Sequence, residues 1–519
     1  MNRSFPIGLA STIHAQTGSV RKFIEVPGFG DARMLWMLGP RVICRLDRFR
    51  PLNRVARKWE CMQCVFFPDA SIGFMKLRQN KLAPIQVEAF PSESLLVENL
   101  PGGKSGWDRA IEKLERIRAD WLQQNACGLG PHLLRWPEAH LHEYSSSRGV
   151  SLLGRIFRFA NQIQSNAERF VVVGNADIHL ILRCLMEACC DPYWNELSRA
   201  ERGSKPRIYF AGESFDNDAL QGLLYLLSRD RPENRYEELG WGGVMLATSD
   251  SGESPRLASG FLRTICEPLW IECCVESEQN IGENTLGLPS GVPALFAAFT
   301  AAGLLPAAIL GINIMELLAG AAWTTRLFAT ESGSGNPILR WVAWNHLISH
   351  WYRSESAMDA PSIALWNSGL SACGDFLLRL EDWHSTSVHA RASNWRAMPL
   401  GLLRAPLQAH SGGLLSRWWH HHWVDAVRCD ALSSIQPTVG NDCGAASGSE
   451  TQVSSYPDLV RDQFESTIAK QISMGASGLV MRLPDLGELS LGQWLQWHLL
   501  ATLLESHLES DTCEHSSES

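Results

Sequence analysis

No charged residue occurs between Glu283 and Glu316. The intervening residues 284–315 read NTLGLPSGVPALFAAFTAAGLLPAAILGINIM. About 20 apolar residues suffice to cross a bilayer, so a run of this length is either a membrane span or the centre of a large water-soluble core. Its punctuation favours the core. Pro289, Gly291 and Pro293 break the first third, Gly303 and Pro306 stand in the middle, and Gly311 and Asn313 follow. That pattern predicts a loop, one buried helix, a break, and a second helix starting near Ile312. The flanks lack the Lys/Arg cluster that orients a membrane anchor. No membrane association is expected.

The rest of the composition agrees. The 519 residues are 45% hydrophobic and 19% charged, long enough for two or three domains. A net charge of −9 argues against nucleic acid as the main partner, which would require a basic face. Fourteen cysteines are scattered through apolar contexts with no recurring framework. They read as free buried thiols in a reducing cytoplasm. Cys61 and Cys64 form a lone CxxC with no second half at zinc spacing. The N-terminus carries no sustained apolar run of the signal-peptide kind.

Along the chain, residues 1–105 read as an irregular or β-containing N-terminal arm. Ser105 and Asp108 stand at capping-box spacing before a helical pattern from Trp107 to Leu122, and a second helix is expected over 151–164. Strands at Phe170–Gly174, Arg207–Gly212 and Gly243–Thr248 then alternate with helices, the signature of βαβ units and a parallel sheet. The second half repeats the theme. Helices are expected over 336–352, 367–384, 458–472 and 490–508, and strands over 361–366, 423–427 and 478–483. Residues 438–455 are low in complexity, and the tail from 509 is polar, acidic and expected to be disordered.

In a parallel sheet, ligands sit at the carboxyl ends of strands. The loop Thr248-Ser-Asp-Ser-Gly-Glu-Ser254 opens a helix at such an end. Small hydroxyls and Gly252 let backbone N–H groups converge on an anion, aided by the helix dipole. The alternative is a serine-rich turn capping a helix. Without a lysine the loop is not an ATP-type P-loop.

This loop resembles the sugar-phosphate loop Ser-Lys-Ser-Gly-Thr-Thr of the glucose-6-phosphate isomerase family, with Ser249, Ser251, Gly252 and Ser254 on matching positions. Thr300-Ala-Ala-Gly-Leu-Leu-Pro306 and the Gly311-Ile-Asn-Ile…Leu-Leu-Ala-Gly-Ala321 segment resemble that family too. So do Tyr209–Asp216, Gln408-Ala-His-Ser411 and Leu483–Leu508, in the same order over residues 170–508. The resemblance implies an α/β protein of two SIS (sugar isomerase) domains, each three-layered α/β/α with a parallel sheet. The first would span 106–300 and the second 301–508. It implies a homodimer acting on a sugar phosphate, with no cofactor and no metal.

The implied chemistry interconverts glucose 6-phosphate and fructose 6-phosphate. A histidine opens the ring, a glutamate moves a proton between C2 and C1, an arginine stabilises the enediolate, and a C-terminal lysine assists. His410 matches the histidine. Leu295 stands where the arginine belongs and Ala390 where the glutamate belongs, and the lysine-bearing end is absent. Asp250 and Glu253 replace the loop's lysine and a threonine, placing negative charge where a phosphate dianion would sit. A non-catalytic paralogue is therefore the alternative to an active isomerase.

Three further polar groups stand out. Asp177 and His179 follow the first strand and are possible site residues. His420, His421 and His422 read as a surface or interface run rather than a metal site. Glu381, Asp382 and His384 read as a solvated helix end, with a displaced acid–base pair as the alternative.

Overall fold

In the computed structural model of the chain the described residues are 83–516, apart from 101, 124–125, 229–239, 265–268, 276–281, 355–360, 388–395, 400–416 and 428–454. The N-terminal arm up to residue 82, Cys61 and Cys64, Ala390, His410 and the low-complexity stretch up to Ser454 lie outside them.

The described chain opens with strand β1 (Gln86–Phe90) and helices α1 (Glu93–Asn99), α2 (Gly103–Trp121), α3 (Leu129–Ser147) and α4 (Leu152–Asn166). Strand β2 (Ala167–Val173) leads to α5 (Ala176–Cys189), β3 (Arg207–Ala211) to α6 (Asn217–Ser228), and β4 (Gly240–Ala247) to α7 (Glu253–Arg263). Strands β5 (Trp270–Val275) and β6 (Thr285–Leu288) complete a parallel sheet of order β3-β2-β4-β5-β6. Phe170 to Val173 are fully buried, because helices cover both faces of such a sheet and select continuous apolar runs. Helix α3 and strands β5 and β6 were not anticipated. The two strands are short and lack the punctuation that announced the others.

Strand β6 takes up the start of the charge-free stretch, where a loop was expected, and from Thr300 onward the stretch behaves as its glycines and prolines predict. After β6, a 3-10 helix (Ala294–Phe299) precedes α8 (Ala301–Leu310), every residue of which is buried. Gly311, at φ +83°, ends α8 in the left-handed conformation that glycine adopts without penalty. Asn313 then caps α9 (Ile314–Thr330), its side chain accepting the Glu316 N–H. Among the described residues no helix is long and apolar enough to cross a membrane.

Beyond α9 come α10 (Pro337–Ser354), β7 (Ser362–Leu365), α11 (Ser371–Ser387), β8 (Arg396–Pro399), β9 (Trp418–Val424), α12 (Tyr456–Ser473), β10 (Ser477–Leu483) and α13 (Glu488–Ser516). The second sheet has the order β1-β10-β9-β7-β8, parallel except for β1, which pairs antiparallel with β10. Residues 86–90 thus complete the C-terminal sheet. Helices α9 and α13 cross in direct backbone contact. A Cβ on Gly320 would meet the Leu489 carbonyl oxygen at 2.0 Å, and one on Gly492 the Leu317 carbonyl at 2.0 Å.

Several expectations need correction. The Ser105/Asp108 capping box does not form, because the helix already starts at Gly103 and the Ser105 hydroxyl donates to the Gly102 carbonyl. Ser455 and Asp458 make a capping box instead, at the start of α12. Residues 509–516 continue α13 rather than forming a disordered tail, and Glu509 is buried. His420–His422 are not on the surface but fill the centre of β9, and His384 is buried rather than solvated.

Candidate functional site

Strands β3, β2 and β4 are parallel neighbours, so their carboxyl ends adjoin, where such sheets form a ligand crevice. Its floor is tight. Gly212, at φ +92°, leaves no room for a side chain, since a Cβ there would lie 2.8 Å from Pro255 Cα and 3.2 Å from the Gly174 carbonyl oxygen.

The loop after β4 is tied down on three sides. Ser249 Oγ donates to the Val292 carbonyl at 2.8 Å. Ser251 Oγ accepts the Thr248 N–H at 2.9 Å and bonds the Thr248 hydroxyl at 2.8 Å. Ser254 Oγ donates to the Ser214 carbonyl at 2.8 Å, joining the loops after β3 and β4. Asp250 turns its carboxylate inward, where it accepts the Ala294 N–H at 3.0 Å and the Thr248 hydroxyl at 2.8 Å. It thereby serves a backbone donor at the start of the 3-10 helix. Gly252, the N-cap of α7, makes no side-chain cap, and nothing lies within 4 Å of where its Cβ would be.

The other two candidates sit in the first turn of α5, whose N-cap Asn175 accepts the Ile178 N–H. Asp177 accepts from Arg379 Nε at 2.7 Å, a contact that reaches from the first sheet's crevice to α11. That pairing raises the Arg379 pKa. His179 is fully buried, with Nδ1 2.8 Å from Glu213 Oε1, and its ring meets Phe210 edge-on at 4.9 Å. Burial lowers the His179 pKa, and the hydrogen bond from His179 holds the Glu213 carboxyl below its usual range. Both shifts describe a neutral imidazole donating to a carboxylate. Arg183 shares that carboxylate at 2.8 Å.

Where the resemblance calls for a fixed cation, Leu295 is buried in the 3-10 helix, and the adjoining Phe296 packs against Trp383 with ring centroids 4.7 Å apart. Besides Arg183, the crevice possesses the cation Arg379. Sequence reasoning missed it because it stands on α11, 202 residues after its partner Asp177, within no motif.

The sequence was also compared with known proteins. No protein-family model matches it. It is 26% identical over 221 residues to a glucose-6-phosphate isomerase of Caldanaerobacter subterraneus subsp. tengcongensis, covering 40% of this chain and 46% of that one. The chain thus spans less than half the length of that relative. A Bacillus anthracis glucose-6-phosphate isomerase is 21% identical over 415 residues, 73% of this chain and 83% of that one. The crystal structure of a glucose-6-phosphate isomerase from Chlamydia trachomatis superposes with a TM-score of 0.56 at 13% identity, over 78% of this chain and 81% of that one, and so shares the fold. With its two α/β sheets and its serine loop, the chain shares the fold of glucose-6-phosphate isomerases and is similar to them in sequence at low identity, as a divergent relative.

Proposed function

We propose that this protein binds a sugar phosphate at the crevice without interconverting glucose 6-phosphate and fructose 6-phosphate, as a binding or regulatory paralogue of the family's isomerases. One observation carries this reading: Asp177, Glu213 and Asp250 are each already held, by Arg379, by His179 with Arg183, and by the Ala294 N–H. Proton transfer between C2 and C1 needs a carboxylate free to reach a carbon-bound proton, and the enediolate needs a fixed cation. Leu295 supplies no cation.

Binding rests on the start of α7. Its N–H groups carry no side-chain cap, Gly252 faces open space, and a helix N-terminus favours a phosphate. Ser249, Ser251 and Ser254 would hold the loop in shape, and Asp177 and His179 would brace its floor. The same reading places the chain in the cytoplasm as a homodimer, its domains dividing near residue 300.

An isomerase reading is favoured by His410, which keeps the ring-opening position. A coupled assay on the purified chain separates the two. The expected result is no turnover of fructose 6-phosphate above the enzyme-free rate, whereas turnover that vanishes in His410→Ala establishes the isomerase. Binding is read separately by thermal shift with 6-phosphogluconate. A rise in Tm that is lost in Gly252→Asp is expected, since the new carboxylate caps α7 itself and repels a phosphate, while changing stability by only about a few tenths of a kcal/mol. No shift in the unaltered chain at millimolar ligand rejects the binding.

A further inference from the structure

Away from the crevice, three helices distant in sequence bring His346 of α10, His384 of α11, and Glu505 and Glu509 of α13 together in the interior. All four are more than nine-tenths buried. Glu505 and Glu509 are four residues apart and so share one helix face. One ligand atom each from His384, Glu505 and Glu509 lies within 4.8 Å of the others. His384 Nε2 stands 3.6 Å from Glu509 Oε2, and His346 Nδ1 stands 3.9 Å from Glu509 Oε1. Neither ring nitrogen of His384 makes a hydrogen bond.

Burying carboxylates costs several kcal/mol each unless a cation and good geometry compensate. The His384–Glu509 and His346–Glu509 contacts are ion pairs at 3.6 and 3.9 Å. We propose that His384, Glu505 and Glu509 bind a first-row divalent transition ion, with Zn²⁺ the best match, and that His346 is its fourth ligand. Two carboxylates and two neutral imidazoles balance a divalent charge, and the mixed N/O donor set suits such ions better than Mg²⁺ or Ca²⁺. Metal–ligand bonds of about 2.0–2.1 Å place tetrahedral ligand atoms about 3.3 Å apart, so separations of up to 4.8 Å must contract by as much as about 1.5 Å on binding.

The surroundings agree. Glu505 borders a small cavity shared with Asn345 and Glu381, which gives an ion a way in. Bound there, the ion would staple α10, α11 and α13 together.

The test uses the full-length chain, stripped with EDTA and dialysed. Added ZnCl₂ is expected to raise Tm by several degrees with one ion retained per chain, and CoCl₂ to give tetrahedral d–d absorption without thiolate charge-transfer bands. Glu505→Gln and Glu509→Gln, which keep side-chain size, are expected to lower Zn²⁺ affinity at least tenfold each, and His384→Gln likewise. The proposal is overturned by no retained ion and no Tm response in the unaltered chain, by a response undiminished in the Glu509→Gln and His384→Gln variants, or by thiolate bands assigning the ion to cysteines.

Discussion

The buried histidines in the second half of the chain fall into two groups whose pKa values move in opposite directions. On β9, each imidazole accepts an indole N–H. Trp418 Nε1 donates to His420 Nε2 at 3.0 Å, Trp366 Nε1 to His421 Nδ1 at 2.9 Å, and Trp494 Nε1 to His422 Nδ1 at 3.2 Å. His421 completes its set through Nε2 and Gln471 Oε1 at 2.8 Å. Burial pushes the pKa of His421 down to about 4 and that of His422 down to about 3, and His420 and His498 move the same way. On α11, His384 is as deeply buried but faces carboxylates, and it is pushed up to about 9. Burial alone fixes neither outcome. The neighbours decide, because an indole N–H bonds only a neutral ring nitrogen whereas a carboxylate favours the imidazolium.

The largest expected effect is on acid stability. The β9 histidines and His498 are neutral when folded and protonate near pH 6.5 when unfolded. Unfolding therefore takes up protons below that pH, and stability falls as pH drops towards the folded-state values near 4 and 3. Each contributes up to about 1.4 kcal/mol per pH unit, which sums to several kcal/mol by pH 5. Urea denaturation at pH 7, 6 and 5 measures this, and a flat profile breaks the comparison. Next, His384→Ala in metal-free protein leaves two buried carboxylates without their cation and is expected to cost about 3–5 kcal/mol, whereas an unchanged midpoint denies the charged pair. Trp366→Phe removes one indole donor from His421 and is expected to cost about 1–3 kcal/mol, with the His421 ring resonances shifting in NMR. The smallest effect belongs to the crevice. Asp177→Asn breaks a pair whose Arg379 side chain is 48% exposed, so the stability change stays below about 1 kcal/mol.

Legibility in the sequence followed the kind of interaction. Strands β2, β3 and β4 and their helices were readable because continuous apolar runs and glycine breaks are local signals. The charge-free stretch was readable for the same reason, down to the break at Gly311 and Asn313. The histidine run was misread because polar residue types suggest a surface, and only the tryptophans that bond it, just after β7, on α13 and on β9 itself, show how a strand can bury them. The crevice was half legible. Its serine loop follows from a strand end and a helix start, but the inward turn of Asp250 onto Ala294 joins residues 44 apart, and the Arg379–Asp177 pair joins residues 202 apart.

By itself, then, the sequence determined the α/β class, the alternation that produces a crevice, the family resemblance, and the apolar Leu295 where that resemblance calls for an arginine. All are written in residue type and near-neighbour spacing. Only the tertiary structure decided which charges are satisfied. It gave Asp250 to a backbone N–H, the β9 imidazoles to indoles, and His384 to two carboxylates more than 120 residues away. Electrostatic partnership depends on distance in space, and the chain order carries no record of it.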